Sequence, residues 1–290
     1  MVCEEIESYE DSPAELIYDE FENILFEGHP LGHNILGTTD QVRSYTSVDA
    51  MRFTRRYYRP ENCVFFVSGD IDFRQLQKAL ERQVVTEGQL ETEKQTRRLA
   101  KPERHVSSEN LIIRHRDTHQ THVMLGTMAY PADDSRRWAL YLLNNILGGP
   151  GLNSRLNLAL RERNGLVYSV ESTMVCYSDT GMWSVYFGCD PKDVERCRRL
   201  VRRELDRLME HPLSPAQLQS AKRQLQGQLA IASDSREQFA LDFAKNYLHT
   251  GKMRNLTDIM TYIDRLTADE LQMVARDLFH EDRITTLMFL

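Results

Sequence analysis

Along the chain the apolar positions change period several times, and each change marks an element. Residues 13–27 place Ile17, Phe21, Ile24 and Leu25 on one helical stripe. Pro13 suits a first turn, and Gly28 with Pro30 stops the helix. The turn HPLGHNILGTTD leads to a second expected helix over 47–58, with Thr46 or Ser47 as its cap. After the turn Arg59-Pro60-Glu61-Asn62 comes the continuous apolar run CVFFV, the pattern of a strand buried on both faces. A further helix is expected over 72–85. Residues 86–105 are polar, with few large apolar side chains, and read as a linker.

Beyond that stretch, strands are expected near 109–116 and 121–129 and a helix over 134–147. The glycine-rich turn LGGPGLNSR follows, then a short helix to about 163. The turn lacks the GK[ST] ending of a phosphate loop and follows a helix rather than a strand, so it reads as a tight connection capped by Asn153 or Ser154. Two β-rich runs joined around Ser178-Asp179-Thr180-Gly181 predict a hairpin. Over 192–210, Val194, Cys197, Val201, Leu205 and Leu208 share one helical face. Arg196, Arg198, Arg199, Arg202, Arg203 and Arg207 lie on the rest, as a solvated surface. Residues 213–249 read as a long or broken helix, and the chain closes helix–turn–strand on ITTLMFL.

That closing passage repeats an earlier one. FENILFEGHP aligns with FAKNYLHTGK, TSVDAMRFTRRYY with TADELQMVARDLF, and CVFFVSG with ITTLMFL, at an offset of about 221–223 residues. Self-similarity of this length predicts two copies of one domain. The second copy is expected over 106–290, with a linker at 96–105. Residues 1–95 correspond only to the latter half of the first copy, so this register places roughly 100 or more residues of that copy ahead of Met1. The expected fold class is α+β: two related domains, each a mostly antiparallel sheet with helices packed on one face, the first incomplete.

Composition narrows the function. The chain has 290 residues and a formal net charge of −7, which offers no bulk attraction to nucleic acid or anionic lipid. No run approaches the ~18 apolar residues of a membrane helix. The first residues are acidic, unlike a signal peptide, and nothing else in the chain fixes a compartment. Cys3, Cys63, Cys176, Cys189 and Cys197 form no CxxC pair and read as buried thiols.

Four passages, taken in order, resemble the insulinase/pitrilysin-type (inverzincin) zinc peptidases. The first two, VCEEI…EDSP and GHPLGHNILGT, are similar to the helix and turn after that family's metal motif. YYRPENCVFFVSGDID is similar to its junction of helix and central strand. LGGPGLNSRLNLALRERNGLVYSV is similar to the glycine-rich turn and following helix of its second domain. The ordered set spans most of the chain.

The resemblance implies a catalytic-type domain over 1–95 and a substrate-facing domain over 106–290, which enclose unfolded peptide substrates in a chamber. The family holds zinc with two histidines of an HxxEH helix, whose glutamate is the general base, and with a distant third glutamate. VCEEI matches the distant site, so the resemblance makes Glu5 the metal ligand. Glu4 lies ~100° round the helix from Glu5 and is not placed to share the ion. Glu4, Glu7 and Asp11 are candidates for orienting groups beside it. Taken alone, the same residues read as solvated helix charges. HxxEH itself does not occur; HEDR (280–283), MEHP (209–212) and HQTH (119–122) are the near approaches. The histidines of HQTH fall at strand spacing and face opposite sides.

No catalytic residue is therefore expected within these 290 residues, and the chain alone is expected to lack peptidase activity and bound zinc, both belonging to a longer parent. Arg161 and Tyr168 match a family pair that reaches across to contact the scissile carbonyl and substrate backbone; both are suitable donors to a developing oxyanion. The alternative is a non-catalytic partner or structural subunit, in a homo- or hetero-oligomer, supplying this Arg/Tyr face to a separate zinc subunit.

Overall fold

The computed structural model describes residues 1–83, 111–116, 118–251, 253 and 255–290. In chain order it begins with helices α1 (Val2–Glu10), α2 (Pro13–Leu25), α3 (Thr39–Ser44), α4 (Ser47–Tyr57) and α5 (Phe73–Gln83). Strands β1 (Leu111–Arg114) and β2 (Thr121–Ala129), helix α6 (Arg137–Gly148) and a π-helical turn at Asn157–Glu162 come next. Strands β3 (Val167–Cys176) and β4 (Gly181–Cys189) precede helices α7 (Val194–Glu210), α8 (Pro215–Ser233), α9 (Arg236–Thr250), α10 (Leu256–Arg265) and α11 (Ala268–Leu278). Strand β5 (Thr285–Phe289) closes the order. The fold class is α+β, as the periodicities predict.

The chain forms two compact units. One gathers Met1–Ser44, the described part of Ala100–Gln226, and Met260–Leu290; the other gathers the described part of Tyr45–Leu99 with Gly227–Ile259. The linker expected at 96–105, with the domain boundaries on either side of it, lies outside the described residues.

The first unit is built on a five-stranded sheet in the order β1-β5-β2-β4-β3. Among the described residues β1 and β5 run parallel, and the other strand pairs are antiparallel. Strand alternation sends Val123 and Leu125 of β2, and Trp183, Val185 and Phe187 of β4, to one face. Helices α6 and α11 lie on that face, α7 packs on α11, and Phe279 meets Trp183 with ring centroids 4.5 Å apart. Val194, Cys197, Val201, Leu205 and Leu208 are the buried side of α7, the stripe read from sequence.

The opposite face presents Met124, Met128, Met182, Leu287 and Phe289, and it is covered by Leu16, Ile17 and Phe21 of α2 together with Phe26. Each such fully buried side chain contributes about 1.5–3 kcal/mol. Polar bonds ring this contact. Tyr18 donates to Glu171 and Tyr177 to Glu22, while His29 Nε2 lies 3.1 Å from Asp179 Oδ2. Glu20, buried at the sheet, takes Arg114 and also Arg116, the latter at 2.5 Å.

In the second unit Phe66 packs against Phe239 and Phe243 of α9, with centroids 6.1 and 5.3 Å apart. The run 63–67 is not the strand its composition predicts: among the described residues it carries no strand pairing. A strand exists only beside another backbone, and among the described residues none is paired with this one. Phe65 is consequently 68% exposed and Val67 47%.

Some local geometry recurs between the matched passages. Thr46 with Asp49 at the start of α4, and Thr267 with Glu270 at the start of α11, form the same capping box. Gly28 and Gly251 both take positive φ, 78° and 64°. Three-residue 3₁₀ turns, Pro60–Asn62 and Glu281–Arg283, follow α4 and α11 in matching register. The helices of the two copies, however, are exchanged. By sequence α2 belongs to the first copy, yet it packs on the second copy's sheet. Helix α9 belongs to the second copy, yet it packs on Phe66 of the first.

Phe21 is fully buried, so Phe21→Ala is expected to lower stability by about 3–5 kcal/mol in urea unfolding followed by tryptophan fluorescence. Phe243→Ala, at a half-buried position, is expected to cost less.

Burial, reinforced by the bonds to Glu171 and Glu22, holds the phenols of Tyr18 and Tyr177 well above their ordinary value. A raised phenol contributes stability that is whole below the unfolded value, about pH 10, and is lost above it as the unfolded chain ionises first. Urea midpoints are expected to fall as pH rises through that value, and to fall less steeply in Tyr18→Phe and Tyr177→Phe.

Candidate functional site

Arg161 and Tyr168 flank a turn fastened from several directions. The segment starts at Ser154, whose carbonyl accepts from Leu158 N–H at 2.9 Å. The expected side-chain caps do not form: Ser154 Oγ is buried without a partner, and Asn153 instead exchanges two amide hydrogen bonds with Gln224, at 2.9 and 3.2 Å. Asn157 Nδ2 donates back to Leu152 O at 3.1 Å. Leu156 and Leu160 are fully buried and anchor the turn, and Arg161 is exposed.

The turn widens to π geometry, Arg163 N–H donating to Leu158 O at 3.1 Å. It ends where Asn164 Nδ2 donates to Ala159 O at 2.7 Å and Arg196 Nη2 of α7 donates to Asn164 Oδ1 at 2.7 Å. Gly165 then takes φ +59°, the left-handed stop that Asn164-Gly165 suggests, and Tyr168 enters β3.

Tyr168 is 88% exposed, and the β3–β4 register shifts between Val167 and Val170, a bulge that re-aims it. Arg161 pairs with Glu162, Nε to Oε1 3.6 Å, rather than with Tyr168. The two expected substrate-holding residues are thus brought to either side of one pinned turn without touching each other. Sequence reasoning missed the clamp from Arg196 and the π widening. A side-chain bond between α7 and a distant turn leaves no local periodic signal, whereas the helix stop at Gly165 does.

On α1 only Ile6 is buried. Glu5 is exposed, and its backbone N–H donates to Met1 O at 3.0 Å. Glu4 pairs with the terminal ammonium at 2.9 Å. Asp11 ends the helix, with its own N–H on Glu7 O and an exposed side chain. Among the described residues no group of three or more His, Cys, Asp or Glu is placed to hold a metal ion. His29 is occupied at both ring nitrogens, Nδ1 accepting from Leu31 N–H at 3.3 Å and Nε2 facing Asp179. Of the HQTH stretch, His122 lies in β2, 2.9 Å from Tyr186 Oη, and burial pushes its pKa down. The described residues therefore provide one candidate carboxylate, Glu5, and not a zinc ligand set.

Residues 45–225 match the family model described as the peptidase M16 inactive domain. An uncharacterized zinc protease of Streptomyces coelicolor is 33% identical over 281 residues, 96% of this chain and 61% of that protein. The uncharacterized zinc protease YmxG of Bacillus subtilis is 30% identical over 288 residues, 99% of this chain and 68% of its own length. This chain thus spans about two thirds of the curated relatives it matches. Among solved structures, a protease from Helicobacter pylori superposes with a TM-score of 0.85 at 23% identity, covering 100% of this chain and 70% of that one. A peptidase M16 inactive domain from Pseudomonas fluorescens gives 0.81 at 20% identity, covering 99% and 68%. At these identities the structural matches establish the fold.

Proposed function

The chain belongs to the peptidase M16 family, through its inactive domain, and we propose that it is the substrate-holding part of a zinc-dependent peptidase. The observation that carries this reading is the pinned turn that displays Arg161 and Tyr168 to solvent. A guanidinium and a phenol hydroxyl both donate to carbonyl oxygen, and a base fixed by hydrogen bonds reduces the ordering cost of binding. Peptide backbone, rich in such oxygens, is the matching substrate class. In this reading Arg161 and Tyr168 orient an unfolded peptide and hold its carbonyl oxygen while charge develops on it.

Zinc belongs to the peptidase of which the chain is a part, as the names of its relatives support. Glu5 is carried over as the ligand on this chain, with Glu4 and Asp11 as neighbouring carboxylates that orient the groups around it. The two histidines and the general base come from an HxxEH domain joined to the chain or supplied by another subunit. The second arrangement is the alternative role of non-catalytic partner, and the description of the family model as an inactive domain favours keeping it.

The chain by itself is expected to bind no stoichiometric zinc and to leave a quenched fluorescent peptide uncut. Joined to, or mixed with, an HxxEH-bearing domain it is expected to cut. There Arg161→Ala or Tyr168→Phe should lower kcat/KM by about 10²–10³-fold, the effect of removing one oxyanion donor. Stoichiometric zinc held through Glu5 in the isolated chain, or undiminished kcat/KM in both variants, would overturn the reading.

A further inference from the structure

Of the five cysteines read as buried thiols, Cys63 is exposed and Cys3 and Cys176 are partly buried. Cys189 and Cys197 are buried, and they lie side by side. Cys189 ends β4 and points to the same face as Trp183, Val185 and Phe187. Cys197 lies in the first turn of α7, on its buried stripe. The 3₁₀ turn Pro191–Asp193 doubles the chain back between them, and the two thiols share a hydrogen bond. The bond from Cys189 lowers the pKa of Cys197 against its burial, while the same bond, with burial, pushes the Cys189 thiol up. Cys197 is therefore the thiol that ionises first.

Both cysteines adjoin the turn that carries Arg161 and Tyr168. Cys189 pairs across the sheet with Val167, the residue before Tyr168. Cys197 follows Arg196, whose guanidinium holds Asn164 in the turn. Among the described residues the two thiols do not join a third His, Cys, Asp or Glu in a metal-holding group. The chemistry open to two adjoining thiols is then oxidation to a disulfide. Their burial selects the oxidant by size. A bulky disulfide reagent is shut out, whereas hydrogen peroxide is little larger than water.

We propose that Cys189 and Cys197 form a peroxide-sensitive dithiol, whose disulfide acts on the turn of Arg161 and Tyr168 through Arg196 and Val167. The Cys197 thiolate attacks one peroxide oxygen and the O–O bond breaks. The departing hydroxide takes up the proton that Cys197 gave to solvent and becomes water, and the Cys197 sulfur is left as a sulfenic acid. The Cys189 sulfur then attacks that of Cys197 and the S–O bond breaks. Its oxygen leaves as a second water with the proton of Cys189. Two thiols and one peroxide give one disulfide and two waters; the sulfurs are oxidised and the peroxide oxygens reduced. A dithiol reductant reverses the product by exchange. Bonded sulfurs sit closer than hydrogen-bonded ones, so the step draws the first turn of α7 toward the end of β4 and pulls Arg196 from Asn164. Formation of the bond is independent of the substrate-holding role proposed above; its effect on cleavage rests on that role.

The test uses the 290-residue chain with Cys3→Ser, Cys63→Ser and Cys176→Ser, which leaves the two thiols in question. Dilute hydrogen peroxide is expected to abolish reaction with a thiol reagent in urea and to lower the intact mass by two hydrogens. Peptide mapping is expected to show Cys189 linked to Cys197, and the same link is expected from the unaltered chain. Dithiothreitol is expected to undo it. With Cys189→Ser added, the expected product is a Cys197 sulfenic acid that a dimedone probe labels. Hydrogen exchange over 157–168 is expected to quicken on oxidation, with unchanged exchange in β2 showing an intact sheet.

Thiols that survive peroxide in the folded chain yet react with it in urea overturn the proposal, as does a sulfinic acid formed without the link. A link that leaves exchange over the turn unchanged overturns the action on Arg161 and Tyr168. Cleavage by the Arg161 and Tyr168 variants reports on the parent reading separately. Unaltered kcat/KM in those variants, with the link formed, removes the substrate-holding role and leaves the dithiol, whereas lost cleavage without the link does the reverse.

Discussion

The sheet of the first unit has an apolar surface on both sides, and both must be kept from water. Helices α6 and α11 of the same repeat copy cover one side. The methionines and Phe289 on the other side would lie open but for α2, whose stripe of Leu16, Ile17 and Phe21 closes over them. Because that interior is close-packed and apolar, its polar bonds are confined to the rim, where Tyr18, Glu22 and His29 each find a partner on β3 or its hairpin turn. Glu20 is the exception at depth, and it sits where two guanidinium groups compensate its charge. The same contact steadies β3 through Glu171, and therefore the strand into which Tyr168 is set.

Much of this is local and was legible in the residues. The apolar stripe of α7, the hairpin around Ser178-Asp179, the stop at Gly165 and the capped helix starts are each written within a few neighbouring positions. What the residues leave open is which surface an amphipathic helix meets. The stripe on α2 says that something apolar covers it, and the match between Phe21 and Phe243 suggests a shared role. Neither says that α2 packs on the five-stranded sheet and α9 on Phe66. The run CVFFV fails as a strand for a related reason. Its composition describes the environment it fits, whereas strand formation requires a neighbour to pair with.

The candidate site shows the same division. Arg161 and Tyr168 were found through a resemblance carried by LRERNGLVY, and the turn between them is the one the Asn-Gly pair foretells. One of its fastenings is Arg196, 32 positions beyond Asn164 in the chain but adjacent in space, and such a bond has no signature in local pattern. Glu5 stands apart. The helix that bears it forms as expected, but the carboxylate faces solvent, and its assignment rests on the resemblance alone.

The exchange of α2 and α9 bears on how such a chain can be divided in evolution. A duplicated domain whose copies each keep their own helices can be split again by a break between them, and each product still folds. Here a break between the copies would part α2 from the sheet it covers and α9 from Phe66. Two separate polypeptides would then have to find one another before either could bury its core.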